Sequence, residues 1–136
     1  IADQLQEGLH RIAQRIKNPR ITGDNGWRGF VGTWGLKGLP ITEADVRLFT
    51  TLVRFDAVYH GHFKCNRNKL TEMPHLWSYA RRLFQTPGFG DTTHFVQIKQ
   101  HYYMVHTDVN PTRIVPKGPD LLNWLTPHGR ESLGGR

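Results

Sequence analysis

Residues 41–59 carry the pattern that most limits what this chain can fold into. Thr42 and Asp45 have the spacing of an N-terminal capping box, in which each side chain accepts a hydrogen bond from the other residue's amide. Ile41 and Val46 are spaced as the hydrophobic staple that accompanies such a box. The apolar residues that follow are Val46, Leu48, Phe49, Leu52, Val53, Phe55, Val58 and Tyr59. They cover more than one helix face, so the pattern predicts a helix buried at the centre of a domain.

Other segments repeat apolar residues at steps of three and four, which is the spacing of one helix face. This spacing predicts helices over 1–17 and 92–106, and a short helix around Trp124. Between the 41–59 helix and the 92–106 helix, a further helix is expected. Thr71 is its expected cap, and Pro74 falls in its first turn. The face predicted for the 92–106 helix consists of Phe95, Ile98, Tyr102 and Val105. Because no segment alternates as a strand does, the expected fold class is an all-α bundle.

The expected domain organisation is a helical domain over 1–126, followed by a loose polar tail over 127–136. Within the domain, 18–40 is an irregular Gly-rich segment, with a glycine at every third position from 23 to 38. Glycine disfavours a helix by about 1 kcal/mol relative to Ala, so this segment is predicted to be a loop. A genuine insertion and a shifted reading frame both explain it. Ile1 falls inside an apolar pattern, as expected for part of a longer protein.

The amino-acid composition limits the classes of partner that this chain is expected to bind. Eighteen Lys and Arg against eleven Asp and Glu give a net charge of +7. These basic residues are scattered, so a solvated basic surface is expected and nucleic acid is not an expected partner. No apolar run approaches the roughly 18 residues of a membrane span, and no signal peptide is recognisable. The single cysteine excludes an internal disulfide and favours a reducing, cytoplasmic location.

Several motifs occur in order between residues 41 and 120. They are Thr-Leu-Val-Arg-Phe-Asp (51–56), Val-Tyr (58–59), His-Phe-Lys-Cys-Asn (62–66), Ile-Lys-Gln-His-Tyr-Tyr (98–103), His106, Asn-Pro (110–111) and Ile-Val-Pro-Lys-Gly-Pro (114–119). Together they resemble the glutathionyl-hydroquinone reductases, or Xi-class glutathione transferases. The capping-box stretch also resembles the C-terminal domain of glutathione transferases. The resemblance implies a glutathione-transferase C-terminal-like helical bundle. It also implies a thioredoxin-like N-terminal domain with a Cys-Pro-Trp-Ala motif, which these 136 residues lack.

The resemblance implies a reductase that uses glutathione as co-substrate, bound mainly by the N-terminal domain. In such an enzyme a cysteine thiolate attacks the glutathione sulfur, the hydroquinone leaves, and a second glutathione resolves the disulfide. This chain would supply the quinol pocket and the dimerisation surface of a homodimer, with no catalytic residue and no activity alone. The implied substrate-binding residues are Tyr59 and Tyr102, with Tyr103 and His106 beside them. Phenol donors of this kind stabilise charge on a ring oxygen.

Cys65 and its neighbouring histidines suggest two other chemistries. Cys65 has basic neighbours that lower a thiol pKa, but the resemblance places the nucleophile elsewhere, so a structural role is expected. His60, His62 and Cys65, with His101 or His106 as a fourth ligand, could hold a metal. Their spacing matches no closed zinc pattern, so no metal is expected.

A non-enzymatic helical module that binds protein or RNA is the alternative function. A steep salt dependence of RNA binding would favour it.

Overall fold

The computed structural model describes residues 3–4, 7–8, 10–11, 41 and 43–130. Residues 3–4, 7–8 and 10–11 are helical, as predicted for the first helix. The Gly-rich segment 18–40, the end of the tail (131–136) and Thr42 lie outside the described residues. The predicted capping box is therefore described only at Asp45.

The helical elements follow one another with short connections. Helix α1 (Glu43–Arg54) continues directly into a π-helical segment, π1 (Phe55–Tyr59), and a last α-helical turn, α2 (His60–His62). The other α-helices are α3 (Pro74–Phe84) and α4 (Phe95–Gln100), and α4 continues into a second π-helical segment, π2 (His101–Val105). Short 3₁₀ helices cover Leu70–Glu72, Gly90–Thr92 and Leu121–Leu125.

The described residues contain no strand, and no helix among them is long and apolar enough to cross a membrane.

The α1–π1 helix is the centre of the core, as its pattern predicts. Leu52, Phe55 and Val58 have no exposed surface. Glu43 and Asp45 place acidic groups in the first turn of α1, where the helix dipole favours them. Glu43 also pairs with Arg47 one turn later, but both side chains are exposed, so this pair contributes little. Burial of the apolar residues therefore holds this helix in place.

Helix α3 packs on α1 through its apolar residues. Leu76, Tyr79 and Ala80 have no exposed surface, and Pro74 occupies the first turn as expected. The Tyr79 hydroxyl donates to Oδ1 of Asp45 at 2.7 Å, and the Asp45 side chain is fully buried. This bond joins α1 to α3 across 34 residues of sequence.

The prediction that Thr71 caps α3 is wrong. Thr71 lies inside the 3₁₀ helix Leu70–Glu72, and α3 begins later, with Met73 at its N-cap position. The amides of Leu70 and Thr71 donate to the two carboxylate oxygens of Asp56, at 2.6 and 3.2 Å. The amides at this turn therefore donate to a carboxylate on π1 instead of to the Thr71 side chain. The spacing of residues in the sequence does not reveal such a contact.

The second π-helical segment changes which residues are buried after α4. The predicted helix over 92–106 begins at Phe95, and its predicted face fails at Val105, which is 62% exposed. Tyr103 is buried instead, with 7% of its surface exposed. A π turn holds more residues than an α turn. The phase of the helix therefore shifts, and Tyr103 replaces Val105 on the inner side.

The last described segment closes the bundle. Trp124 is buried, and its ring lies 4.6 Å from Trp77 and 5.0 Å from Phe84, between ring centroids. Beyond it, the Ser78 hydroxyl donates to the carbonyl of His128, and Arg130 is 8% exposed. The part of the tail up to residue 130 therefore contacts α3 through Ser78.

Candidate functional site

The two π-helical segments bring Tyr59 and Tyr102 together. Their hydroxyl oxygens are 3.5 Å apart, although the residues are separated by 43 positions in the sequence. The two rings meet edge to face, with centroids 5.9 Å apart. Both side chains are half-buried, so the pair lies at the edge of the core. The two tyrosines that the resemblance implies as substrate-binding residues therefore lie in contact with each other.

The hydroxyl of Tyr59 is held in its protonated form. Burial, and then the hydrogen bond to Tyr102, raise the pKa of Tyr59 to about 12. Tyr59 is therefore an O–H donor at neutral pH. One hydroxyl hydrogen lies between the two oxygens, so the other remains to bond a third atom. A hydroxyl that also accepts a hydrogen bond is a stronger donor, so the pair is suited to an oxygen that gains negative charge.

His106 and His62 lie beside Tyr102. The ring of His106 is half-buried, with its centroid 5.3 Å from that of Tyr102. Its Nδ1 is 3.3 Å from Nε2 of His62, which is only 3% exposed. Sequence reasoning placed His106 here but considered His62 only as a metal ligand. The signal for His62 was its place in the His-Phe-Lys-Cys-Asn motif.

Tyr103 does not bring its hydroxyl to the pair. The hydroxyl is 3.5 Å from the carbonyl oxygen of Val58 and faces the backbone of the π1–α2 helix. A Cβ atom at Gly61 would lie 2.9 Å from the same hydroxyl, so glycine makes this approach possible. Burial raises the pKa of Tyr103. Its side chain packs behind the site, where it supports His62 through a ring contact of 5.0 Å.

Cys65 is buried, with 2% of its surface exposed. Burial raises the pKa of the Cys65 thiol, so the thiol form is favoured over the thiolate that a nucleophile needs. The neighbouring Lys64 ammonium donates to the carbonyl of Gly61 at 2.9 Å. This environment supports the expected structural role.

His62 and His106 approach each other, but among the described residues they do not form part of a larger set of metal ligands. In the part of the chain that the structure describes, no group of three or more His, Cys, Asp or Glu side chains is arranged to hold a metal ion.

A groove of about 430 Å³ lies between α1 and α4. Phe49, Val53, Phe89, His94 and Ile98 are among its lining residues. Arg54 also lines this groove, but its guanidinium donates to the carbonyl of Thr50 in its own helix. The Tyr59 and Tyr102 hydroxyls, by contrast, bond each other and leave one hydroxyl hydrogen for a third atom.

The family described as "Glutathione S-transferase, C-terminal domain" matches residues 2–82.

Several characterised proteins are similar to this chain. Glutathionyl-hydroquinone reductase YqjG of Escherichia coli is 45% identical over 99 residues, which are 71% of this chain and 29% of that protein. A glutathione-bound structure of YqjG superimposes with a TM-score of 0.76 at 36% identity, covering 96% of this chain and 37% of that one. Glutathionyl-hydroquinone reductase PcpF of Sphingobium chlorophenolicum is 50% identical over 84 residues, 62% of this chain and 27% of that protein.

A crystal structure of a glutathione transferase from Gordonia bronchialis is 64% identical, with a TM-score of 0.79. That match covers 99% of this chain and 38% of the other. The chain thus spans less than a third of the length of the two reductases that it matches.

Proposed function

This chain belongs to the glutathione S-transferase C-terminal domain family, and from that premise we propose that it is the quinol-binding domain of a glutathione-dependent reductase. The proposed reaction converts glutathionyl-hydroquinones to hydroquinones, with glutathione as co-substrate. Two similar proteins are named for that activity. The observation that carries the proposal is the 3.5 Å approach of the Tyr59 and Tyr102 hydroxyls.

The chemistry explains why two phenols suit this reaction. When a thiolate attacks the glutathione sulfur, an S–S bond forms and the bond from sulfur to the ring carbon breaks. Before this, the proton of the neighbouring ring hydroxyl moves to the ring carbon that carries the sulfur, which gives the keto form of the ring. When the carbon–sulfur bond breaks, its electron pair restores the aromatic ring, and the negative charge appears on the former carbonyl oxygen. The remaining hydroxyl hydrogen of the Tyr59–Tyr102 pair donates to that oxygen as its charge grows. His106 contributes to the same pocket from beside Tyr102.

These residues supply binding and not the nucleophile. The 136 residues contain no Cys-Pro-Trp-Ala motif, and Cys65 is buried as a thiol. We therefore propose that the attacking cysteine and most glutathione contacts belong to a thioredoxin-like domain of a longer protein. The 136 residues alone are expected to release no hydroquinone from glutathionyl-hydroquinone and glutathione.

The test compares Tyr59→Phe and Tyr102→Phe in the protein that contains both domains. A donor to a charged oxygen contributes about 1.5–3 kcal/mol, which is about a tenfold to a hundredfold change in rate. We expect kcat/KM for glutathionyl-hydroquinone to fall by that factor in each variant. Tyr103→Phe is the matched control, because its hydroxyl faces Val58, and it should retain nearly full activity. Equal activity in all three variants would contradict the proposed role of the pair.

We also propose a cytoplasmic homodimer. Leu122 and Leu125 are 72% and 66% exposed. They line one groove together with Leu121 and Phe95, and a contiguous apolar patch of this kind marks an interaction site. Sedimentation velocity measures the mass directly, and a monomer at micromolar concentration would rule out this part of the proposal.

A further inference from the structure

The pair formed by His62 and His106 has an unusual asymmetry. Nε2 of His62 is 3.3 Å from Nδ1 of His106, so one of these nitrogens donates to the other. The other ring nitrogen of His62, Nδ1, is buried and has no hydrogen-bond partner among the described residues. His62 is enclosed by the rings of Phe63, Tyr102, Tyr103 and His106.

This asymmetry selects one tautomer of each ring. A neutral imidazole carries its hydrogen on only one nitrogen. If that hydrogen were on Nδ1 of His62, a buried N–H would lack an acceptor, at a cost of about 1–3 kcal/mol. With the hydrogen on Nε2, His62 donates to Nδ1 of His106 and leaves only a lone pair buried. His106 must then carry its own hydrogen on Nε2, which points away from His62.

Burial and neighbouring groups favour the neutral form of His62. Burial, then His106 and Lys64, lower the pKa of His62, while Asp108 acts weakly in the opposite direction. A proton on His62 would also place a charged Nδ1–H in the same apolar enclosure. The ring centroid of His101, an exposed residue, lies 5.5 Å from that of His106.

We propose that His62 is a positioning residue that fixes His106 with its hydrogen on Nε2, so that His106 offers an N–H donor beside the two phenols. Two donors would then converge on one ligand oxygen: the remaining hydroxyl hydrogen of the Tyr59–Tyr102 pair, and the Nε2–H of His106. The ligand class is an aryl oxyanion, such as the ring oxygen of a quinol conjugate. This ligand assignment rests on the proposed function, but the tautomer does not.

The tautomer is measurable without any ligand. Nitrogen-15 spectra of histidine side chains separate a protonated ring nitrogen from an unprotonated one, and the chain has eight histidines to resolve. In the intact protein at neutral pH, we expect His106 to carry its hydrogen on Nε2. His62→Phe removes the donor, so His106 should become a mixture of tautomers. His62→Gln retains an N–H group at the end of its side chain and should restore the single form. His75→Gln, at an exposed position of α3, is the matched control.

Ligand binding is then tested with 4-nitrophenolate as the probe. We expect the Nε2–H signal of His106 to shift when the probe is added, and to shift less in His62→Phe. A wild-type His106 with its hydrogen on Nδ1, or a tautomer that His62→Phe leaves unchanged, overturns the inference. The ring-proton signals of Tyr59 and Tyr102 are followed in the same titration. If they shift while the Nε2–H signal of His106 does not, the donor role of His106 is wrong and the proposed function stands. If neither shifts, the quinol site itself is refuted, whatever the tautomer.

Discussion

Removal of the Tyr79 hydroxyl tests whether one buried bond holds α1 against α3. Tyr79 and Asp45 have no exposed surface, and the Tyr79 hydroxyl oxygen is 2.7 Å from Oδ1 of Asp45. Burial, and then the bond to Asp45, raise the pKa of Tyr79, which therefore remains a donor across the ordinary pH range. Tyr79→Phe keeps the ring and removes only this donor.

The expected loss follows from the burial of both groups. A hydrogen bond to a carboxylate contributes about 1.5–3 kcal/mol, and a buried oxygen that loses a donor cannot turn to water instead. We therefore expect Tyr79→Phe to lower the free energy of unfolding by about 2–3 kcal/mol. Small domains have about 5–15 kcal/mol in total, so the effect should be large. Tyr103→Phe removes a bond of 3.5 Å to a carbonyl and should cost less than about 1 kcal/mol.

Urea unfolding, followed by circular dichroism, measures these losses. The slope with urea should stay the same in both variants, so that the midpoint reports stability. Combining Tyr79→Phe with Asp45→Ala should cost less than the sum of the single changes, by about 1–3 kcal/mol, because the two side chains interact directly. A Tyr79→Phe protein that unfolds at the wild-type urea concentration would refute the reasoning.

Two further predictions concern the site. Tyr59 should ionise near pH 12 in a titration followed by ultraviolet absorbance, and Tyr102→Phe should lower that pKa because the bond between the hydroxyls is lost. The pKa of Tyr59 in the folded protein lies above the ordinary value of about 10. The contribution of protonated Tyr59 to the free energy of unfolding is therefore complete below pH 10 and is lost as the pH rises towards 12. An unchanged Tyr59 pKa in Tyr102→Phe would contradict the bond between the hydroxyls. Gly61→Ala places a methyl group 2.9 Å from the Tyr103 hydroxyl and should destabilise the fold by about 1–3 kcal/mol. Adding Tyr103→Phe should recover most of that loss in thermal unfolding, and no recovery would show that the contact is not the cause.

Much of the helical framework follows from local sequence. The apolar steps after residue 42 predict the buried α1–π1 helix, and Leu52, Phe55 and Val58 are its inner residues. Pro74 marks the start of α3 as expected. The prediction that Thr71 caps α3 was wrong, because the Thr71 amide donates to the carboxylate of Asp56, 15 positions earlier. A contact across that distance leaves no trace in a pattern of spacings.

The site was predictable only in part. The motifs around Tyr59 and Tyr102 led to both residues, and their hydroxyls do meet. Val105 was expected on the inner face, but the π turn at His101–Val105 rotates Tyr103 inward instead. An α-helical wheel assumes a constant 3.6 residues per turn, so it cannot anticipate such a shift. His62 was missed as a partner of His106 because their contact spans 44 positions.

The sequence by itself determined that this protein is helical, which faces of α1 and α3 are apolar, and which side chains could act as donors. Periodicity and turn residues encode those properties locally, within a few residues of each position. Only the tertiary structure decided which donors meet. The Tyr59–Tyr102 pair, the Asp45–Tyr79 bond and the burial of Cys65 depend on how the helices pack. Packing fixes distances between residues far apart in the chain, and those distances set the pKa values and the chemistry.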